Sequence, residues 1–428
     1  MKKLLAILGV SVALLAGLLI YTGIVSKEDI EEKAAEIVTE LPEVVEIKPA
    51  VTPIPTRPPV TPAPNEELVV TEEEVTIEDD EELEKEDTFE VTVPTHDQYS
   101  YAYGTLTDSE KELYDIIYAA TVSYQEGVTV PTLDTNAIDK VFNCVMIDHP
   151  EIFYVNGYRY TRYTRGDELK KLTYTASYSY SRSETDRISK ELDAAVNNIT
   201  ANIYPAASDY LKIKYLYDLI IKNTDYDLNS SDNQNIISVL LNHRSVCQGY
   251  AKTMQLLLNK VGVPCTLITG TVNTGERHAW NAIKADGEWY YTDVTWGDAS
   301  YKLEDASQVD FAPEINYDYL MVTSGEIGKT HFSDAPMPIP QASSLTDNYY
   351  VQEGLYLMTY DPNQLKMIFD YRASLGEPTV TLKCADANVY NVVRAEMLDN
   401  QKIFDYVKTG QVRYYENPEL TKLVFALR

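Results

Sequence analysis

Residues 245–260 read SVCQGYAKTMQLLLNK, residues 262–270 read GVPCTLITG, and residues 277–298 read RHAWNAIKADGEWYYTDVTWGD. Tyr250, Met254, Leu257 and Leu258 recur at helical spacing and Gly262 supplies a stop, which predicts a helix opening at Cys247. Val263 to Ile268 is rich in strand formers. Arg277–Lys284 and Trp289–Thr295 read as two strands joined through Asp286-Gly287, a two-residue hairpin signal.

The hairpin carries a register. With Asp286-Gly287 central in the turn, Trp280 faces Asp293 and His278 faces Thr295. His278 and Asp293 are then diagonal neighbours on one face, roughly 7–8 Å apart at the backbone and within side-chain reach. A thiol in the first turn of a helix meets unpaired N–H groups and the positive end of the helix dipole, both of which favour thiolate. Cys247, His278 and Asp293 together therefore fit nucleophilic cysteine catalysis: a thiolate, an imidazole that moves the proton, and a carboxylate that fixes the imidazole's tautomer. Singly, each also fits a bland role: a small buried hydrophobe, a satisfied core histidine and a hydrogen-bonded strand-end carboxylate. Trp280 and Trp296 fit either the walls of a substrate tunnel or aromatic core packing. Cys265, in an apolar strand, reads as core, and His243 and His331 as surface or structural positions.

Outward from this region, folded sequence resumes near His96. Thr107-Asp108-Ser109-Glu110 is a capping box ahead of Leu113, Ile116, Ile117 and Ala120. A second helix is predicted over about 135–147. Leu172, Tyr174, Ala176, Tyr178 and Tyr180 then alternate at period two behind the turn Arg165-Gly166-Asp167. Helical patterns follow over about 184–199 and 208–222. Beyond Asp347, residues 349–360 read as strand, Asp361-Pro362 opens a helix that ends before Gly376, and Val380, Leu382 and Cys384 alternate as a strand. A helix over 388–398 and strands in 412–427 complete a small α+β unit, for which a split βαβ arrangement is expected.

The chain has 428 residues, 36 Lys and Arg against 66 Asp and Glu, and a formal charge of −30, which argues against nucleic-acid binding. Four cysteines in this length form neither a disulfide scaffold nor a zinc pair. Much of the acidity lies between Lys27 and Glu90, with 22 acidic and 5 basic residues around a Pro-rich run at 53–64. Such composition reads as a linker. Before it, Met1-Lys2-Lys3 precedes an uncharged apolar run from Leu4 to Val25. That length suits a single N-terminal membrane anchor with the rest of the chain outside, and a cleaved signal segment is the competing reading. The expected organisation is an anchor or signal segment at 1–26, an acidic Pro-rich linker at 27–95, a helix-plus-hairpin accessory domain at 96–204, a core at 205–340 and a C-terminal α+β domain at 341–428.

SVCQGYA, GVPCTLITG and RHAWNAIKADGEWYYTDVTWGD, in this order and spacing, resemble the core of the transglutaminase-like superfamily, especially its bacterial extracytoplasmic members, over about residues 205–335. Lys212–Tyr215 through Asp225–Asp227 resembles the helix before the family's Cys, and Tyr317–Leu320 with His331-Phe332 resembles the segment that closes the domain. The resemblance implies a papain-like α+β core with a catalytic triad at Cys247, His278 and Asp293. It implies attack on a carboxamide or peptide carbonyl to give a thioester acyl-enzyme, resolved by water or by an amine. It also implies a protein or peptide partner, cell-wall-linked peptides included. No calcium-loop pattern is visible, so no metal and no cofactor are expected. One departure stands at His243-Arg244, where relatives often carry Gly. The rival reading is a surface binding or structural module that keeps the fold without the activity.

Overall fold

The structure, a computed structural model, describes residues 46–49, 69–77, 96–298 and 315–427. The described residues between 52 and 356 form one compact unit, and those from Leu357 onward, with strand β1 (Glu46–Pro49), form a second. The anchor expected at Leu4–Val25 lies outside the described residues. Among those described, no helix is long and apolar enough to cross a membrane. The stretch 27–95, read as a linker, contains two strands, β1 and β2 (Val69–Thr76). Composition hid β2 because its side chains are almost all exposed and it lacks alternation. Its backbone pairs in parallel with β4 (Val155–Arg165), Glu72 and Glu73 meet Arg162 and Arg159, and Ile77 is buried just beyond its end.

The first part of the larger unit follows from its capping chemistry. Thr107 and Glu110 form a reciprocal box that starts α2 (Asp108–Ser123), after the single turn α1 (Tyr101–Gly104). β3 (Val128–Thr129) and α3 (Thr135–Asp148) come next. Asp148, at the end of α3, accepts from the amides of Ala102 and Tyr103 at 2.9 and 2.8 Å, tying α1 to α3. β4 and β5 (Glu168–Tyr178) make a long hairpin in the sheet β2-β4-β5-β3, with Leu172, Tyr174 and Ala176 buried as their alternation predicts. Helices α4 (Arg182–Thr200) and α5 (Asp209–Asn223) follow, α4 behind a second capping box at Ser181 and Glu184.

The rest of that unit holds the candidate site. β6 (Asp225–Tyr226), α6 (Ile236–Leu240) and β7 (Arg244–Ser245) lead into α7 (Cys247–Lys260). β8 (Cys265–Val272), β9 (Arg277–Ala285), β10 (Glu288–Thr292) and, after the short helices α8 (Val294–Gly297) and α9 (Ser324–Ile327), β11 (His331–Ser333) build an antiparallel sheet in the order β10-β9-β8-β11. Tyr250, Met254, Leu257 and Leu258 of α7 are all fully buried, and Asn281 of β9 donates to Ala251 O of α7 at 3.0 Å. Cys265 is core, as read from the sequence.

Residues 349–360, expected as a strand, instead form one helical turn, α10 (Tyr349–Gln352), and the two-residue strand β12 (Tyr356–Leu357). The Asn348 side chain accepts from Tyr350 N and caps the turn, and Gly354 at φ +70° ends it. The compact-unit boundary falls at 356 rather than 340, because Asn348 Nδ2 bonds to Met321 O and the buried Tyr350 hydroxyl bonds to Asp318. In the second unit, Asp361 caps α11 (Pro362–Ser374). β13 (Thr379–Cys384), α12 (Ala387–Arg394), β14 (Gln411–Asn417) and β15 (Lys422–Ala426) follow, in a sheet ordered β1-β14-β15-β13-β12. Both β13 and β14 run antiparallel to the β15 between them, which is the expected split βαβ arrangement.

Candidate active site

Cys247 is the first residue of α7, and Val246 before it offers no side-chain cap, so the first amides lack intrahelical acceptors. The approach to this helix is tightly set. Ser245 Oγ lies 2.7 Å from Ser238 Oγ and donates to Asn233 O at 3.1 Å. Gly249 is required above this network, since a Cβ there would overlap Ser245 Oγ and sit 2.6 Å from Ser238 Oγ. His243, the departure from Gly noted above, takes φ +57°. That is the left-handed backbone that glycine favours.

The hairpin register is the one read from the sequence: Glu288 pairs with Ala285 and Thr292 with Asn281. The ladder stops there. His278 does not face Thr295 and Trp280 does not face Asp293 across paired strands, because Asp293 leaves the strand to become the N-cap of α8, its Oδ1 accepting from Trp296 N at 3.0 Å. The swing still brings the carboxylate onto His278, whose Nε2 donates to Asp293 Oδ2 at 2.8 Å. Both side chains are fully shielded. A carboxylate only accepts, so His278 carries its proton on Nε2 and Nδ1 is the nitrogen left for other work. Among the described residues Nδ1 has no hydrogen-bond partner of ordinary geometry, and the Cys247 thiol interacts with this ring.

The electrostatics follow from this geometry. Burial alone would push the His278 pKa down; the Asp293 charge and hydrogen bond, with the Cys247 thiol adding to them, outweigh it and raise the pKa to about 9. Burial works against the Asp293 carboxylate too, but the two histidines beside it hold it far below the ordinary carboxylate range. Burial pushes the thiols of Cys144 and Cys384 up to about 12, and that of Cys265 well up also.

Sequence reading placed His331 at the surface or in a structural role. It is buried at the start of β11, which leaves the structural alternative, with Nε2 3.1 Å from Asp293 Oδ2. Its position depends on a pairing between β11 and β8 some sixty residues apart, and nothing local to Thr330-His331 signals it. Trp280 and Trp296 are buried as well. Trp280 stacks on His278 at 6.2 Å and meets His331 edge-on at 5.0 Å; Trp296 lies 5.9 Å from His278 and 4.6 Å from His331. Of the two roles open to these tryptophans, the packing one is what the structure displays, as a wall around the Asp293 cluster. His278, Asp293 and His331 each offer a ligand atom within 4.8 Å of the others and could hold a metal ion, but only after both Nε2 protons, now donated to Oδ2, were displaced.

Residues 195–294 match the family described as "Transglutaminase-like superfamily". The chain is similar to kyphoscoliosis peptidase of Mus musculus, 24% identical over 174 residues covering 35% of this chain and 26% of that protein. It is similar also to kyphoscoliosis peptidase of Homo sapiens, 24% identical over 243 residues covering 51% and 34%. The chain thus spans about a quarter and a third of the length of those relatives. A solved structure described as that of a TGase aligns at 14% identity over 37% of this chain and 50% of its own, with a TM-score of 0.24, too low to decide anything alone. The family match ends at Val294, just past Asp293, and so takes in the helix opening at Cys247, the hairpin and the histidine–aspartate pair described above. Residues 195–294 thus carry a transglutaminase-like domain match.

Proposed function

We propose that the chain is a cysteine acyltransferase or peptidase acting on protein or peptide carboxamides, with Cys247 as nucleophile, His278 as proton carrier and Asp293 as its orienting carboxylate. The observation that carries this reading is the 2.8 Å contact of His278 Nε2 with Asp293, which leaves Nδ1 as the nitrogen able to exchange a proton with the Cys247 thiol that interacts with the ring. In the proposed reaction the Cys247 sulfur attacks the carbonyl carbon while its proton resides on His278 Nδ1. The C–N bond breaks as that proton passes to the departing amine or ammonia, leaving a thioester. Water or a second amine then attacks, giving up a proton to Nδ1, and the C–S bond breaks to restore the thiol. The Cys247 N–H at the helix start supplies an oxyanion donor. Trp280 and Trp296 shield the imidazole–carboxylate pair from water, and any substrate contact is made by the small edge each retains.

The proposal extends to placement: an apolar run at Leu4–Val25 anchors the chain and holds the catalytic unit outside the membrane. The test supplies extracts of surface proteins and peptidoglycan-linked peptides with a labelled primary amine, then follows amine incorporation and new peptide termini by mass spectrometry. Incorporation identifies transamidation, new termini or Gln-to-Glu conversion identify hydrolysis, and both disappear in Cys247→Ala. The low exposure of Cys247, 8%, is the one observation favouring a non-catalytic module. A wild-type protein that yields neither product on any extract, and whose extract binding is unchanged by Cys247→Ala, supports that second reading.

A further inference from the structure

Asp293 is bonded from three sides. Its Oδ1 takes the Trp296 amide, and its Oδ2 takes both His278 Nε2 at 2.8 Å and His331 Nε2 at 3.1 Å. His331 is itself held at both ends, since its Nδ1 lies 2.8 Å from Thr330 Oγ1. The carboxylate can only accept, so Nε2 of His331 carries a proton; the Thr330 hydroxyl, whose other acceptor is Ile327 O at 3.4 Å, lies nearer Nδ1 at 2.8 Å and donates to it in the neutral ring. The ring is neutral in this arrangement. Burial, which pushes its pKa below the ordinary histidine range against the pull of Asp293, acts in the same sense, and the charged groups facing it are Asp293 and His278.

The ring sits on a rigid element. His331 pairs with Val272, and β11 approaches β8 closely enough that a Cβ on Gly270 would overlap Phe332 O. Trp280, Trp296 and Tyr319 surround the ring at 5.0, 4.6 and 5.6 Å between centroids. A buried imidazole needs partners, but a packing role does not require that one of them be the carboxylate already bonded to His278. Two donors converging on one oxygen, with a backbone amide on the other, leave that carboxylate no freedom to rotate.

Resting on the reading of Cys247, His278 and Asp293 as the reactive set, we propose that His331 is a positioning residue: as a neutral second donor to Asp293 Oδ2, it fixes the carboxylate's rotation and so the direction in which His278 presents Nδ1 to Cys247. It touches no substrate and moves no proton.

The test measures iodoacetamide alkylation of Cys247 against pH in the full chain, resolved by site with mass spectrometry. The variants are His331→Leu, His331→Gln and Thr330→Val. Losing the donor frees the carboxylate, weakens its hold on the imidazolium and removes support from the thiolate. The acid limb of His331→Leu should therefore move up by on the order of one pH unit, about a tenfold loss of rate at a fixed pH on that limb. Gln can place an amide N–H where Nε2 stands, so His331→Gln should keep the wild-type limb. Thr330→Val, which leaves the ring in place but frees its tautomer, should shift the limb the same way by less. A His331→Leu profile equal to wild type overturns the inference, as does a folded His331→Gln as impaired as His331→Leu. Should His331→Leu fail to fold, an unshifted Thr330→Val overturns it. In all these cases a fast, His278-dependent Cys247 keeps the underlying reading intact. A wild-type Cys247 that alkylates no faster than Cys144, Cys265 and Cys384 removes the reading and the inference with it.

Discussion

Among the places in the larger unit where acidic groups meet basic ones, two differ in almost every physical respect. On the sheet β2-β4-β5-β3, Glu72 and Glu73 meet Arg162 and Arg159, each pair at 3.1 Å and all four side chains well exposed. At the candidate site a single carboxylate meets two imidazoles and an amide, with no exposed side-chain surface on either histidine or on Asp293. Exposed pairs compete with water and salt and contribute little. The buried cluster cannot exchange its partners for water, so each missing donor leaves a charge or dipole stranded. Similar groups at similar distances therefore complement a sheet edge in one place and lock one another's geometry in the other.

The comparison breaks most visibly if the buried carboxylate is dispensable. Asp293→Ala strands the N–H groups of His278, His331 and Trp296, and we expect a loss of about 3–5 kcal/mol in urea unfolding, together with loss of Cys247 reactivity. A stability change as small as that of a surface variant would erase the distinction.

The next effect is a pH dependence with a defined sign. His278 has a folded pKa raised from 6.5 to about 9, so the stability it contributes is fully present below pH 6.5 and is lost as pH rises through 9. Between those limits wild type should lose up to about 3 kcal/mol relative to His278→Gln. Unfolding curves of the two proteins at several pH values check this, and parallel pH profiles would contradict it. Asp293 acts in the opposite window: its pKa is depressed, so its share persists across the neutral range and fades only in strong acid.

A smaller effect tests the approach to Cys247. In an ordinary helix Gly→Ala is stabilising, by roughly 1 kcal/mol. At Gly249 the added methyl meets Ser245 and Ser238, so the sign should invert to a cost of about 1–3 kcal/mol. A stabilised Gly249→Ala protein would show that the serine pair yields easily. Smallest of all, Arg159→Ala and Arg162→Ala should leave the urea midpoint within the scatter of repeats, with any residual shift vanishing in high salt.

Much of this was legible in local chemistry. The helix opening at Cys247, the hairpin register through Asp286-Gly287 and both capping boxes rest on interactions spanning a few residues, where spacing determines geometry. The candidate triad depended on that register, and it held only as far as Thr292, because Asp293 caps a helix that period-two reading could not anticipate. What stayed hidden was long-range. His331 reaches Asp293 only because β11 adds to the far edge of the sheet, and β2 joins β4 through backbone pairing that its acidic, unpatterned side chains do not announce. Residues 349–360 misled because Tyr and Val favour strands, whereas Asn348 and Gly354 impose a capped turn.

On the function proposed above, burial silences three of the four thiols while the helix start and His278 activate the fourth. That contrast is tested most directly by the rate of iodoacetamide labelling at each cysteine of the native chain near neutral pH, in wild type and in His278→Ala. The account predicts that Cys247 labels far faster than Cys144, Cys265 and Cys384, and that His278→Ala removes most of that advantage without unfolding the protein. Four cysteines labelling together, or a Cys247 indifferent to His278, would contradict it.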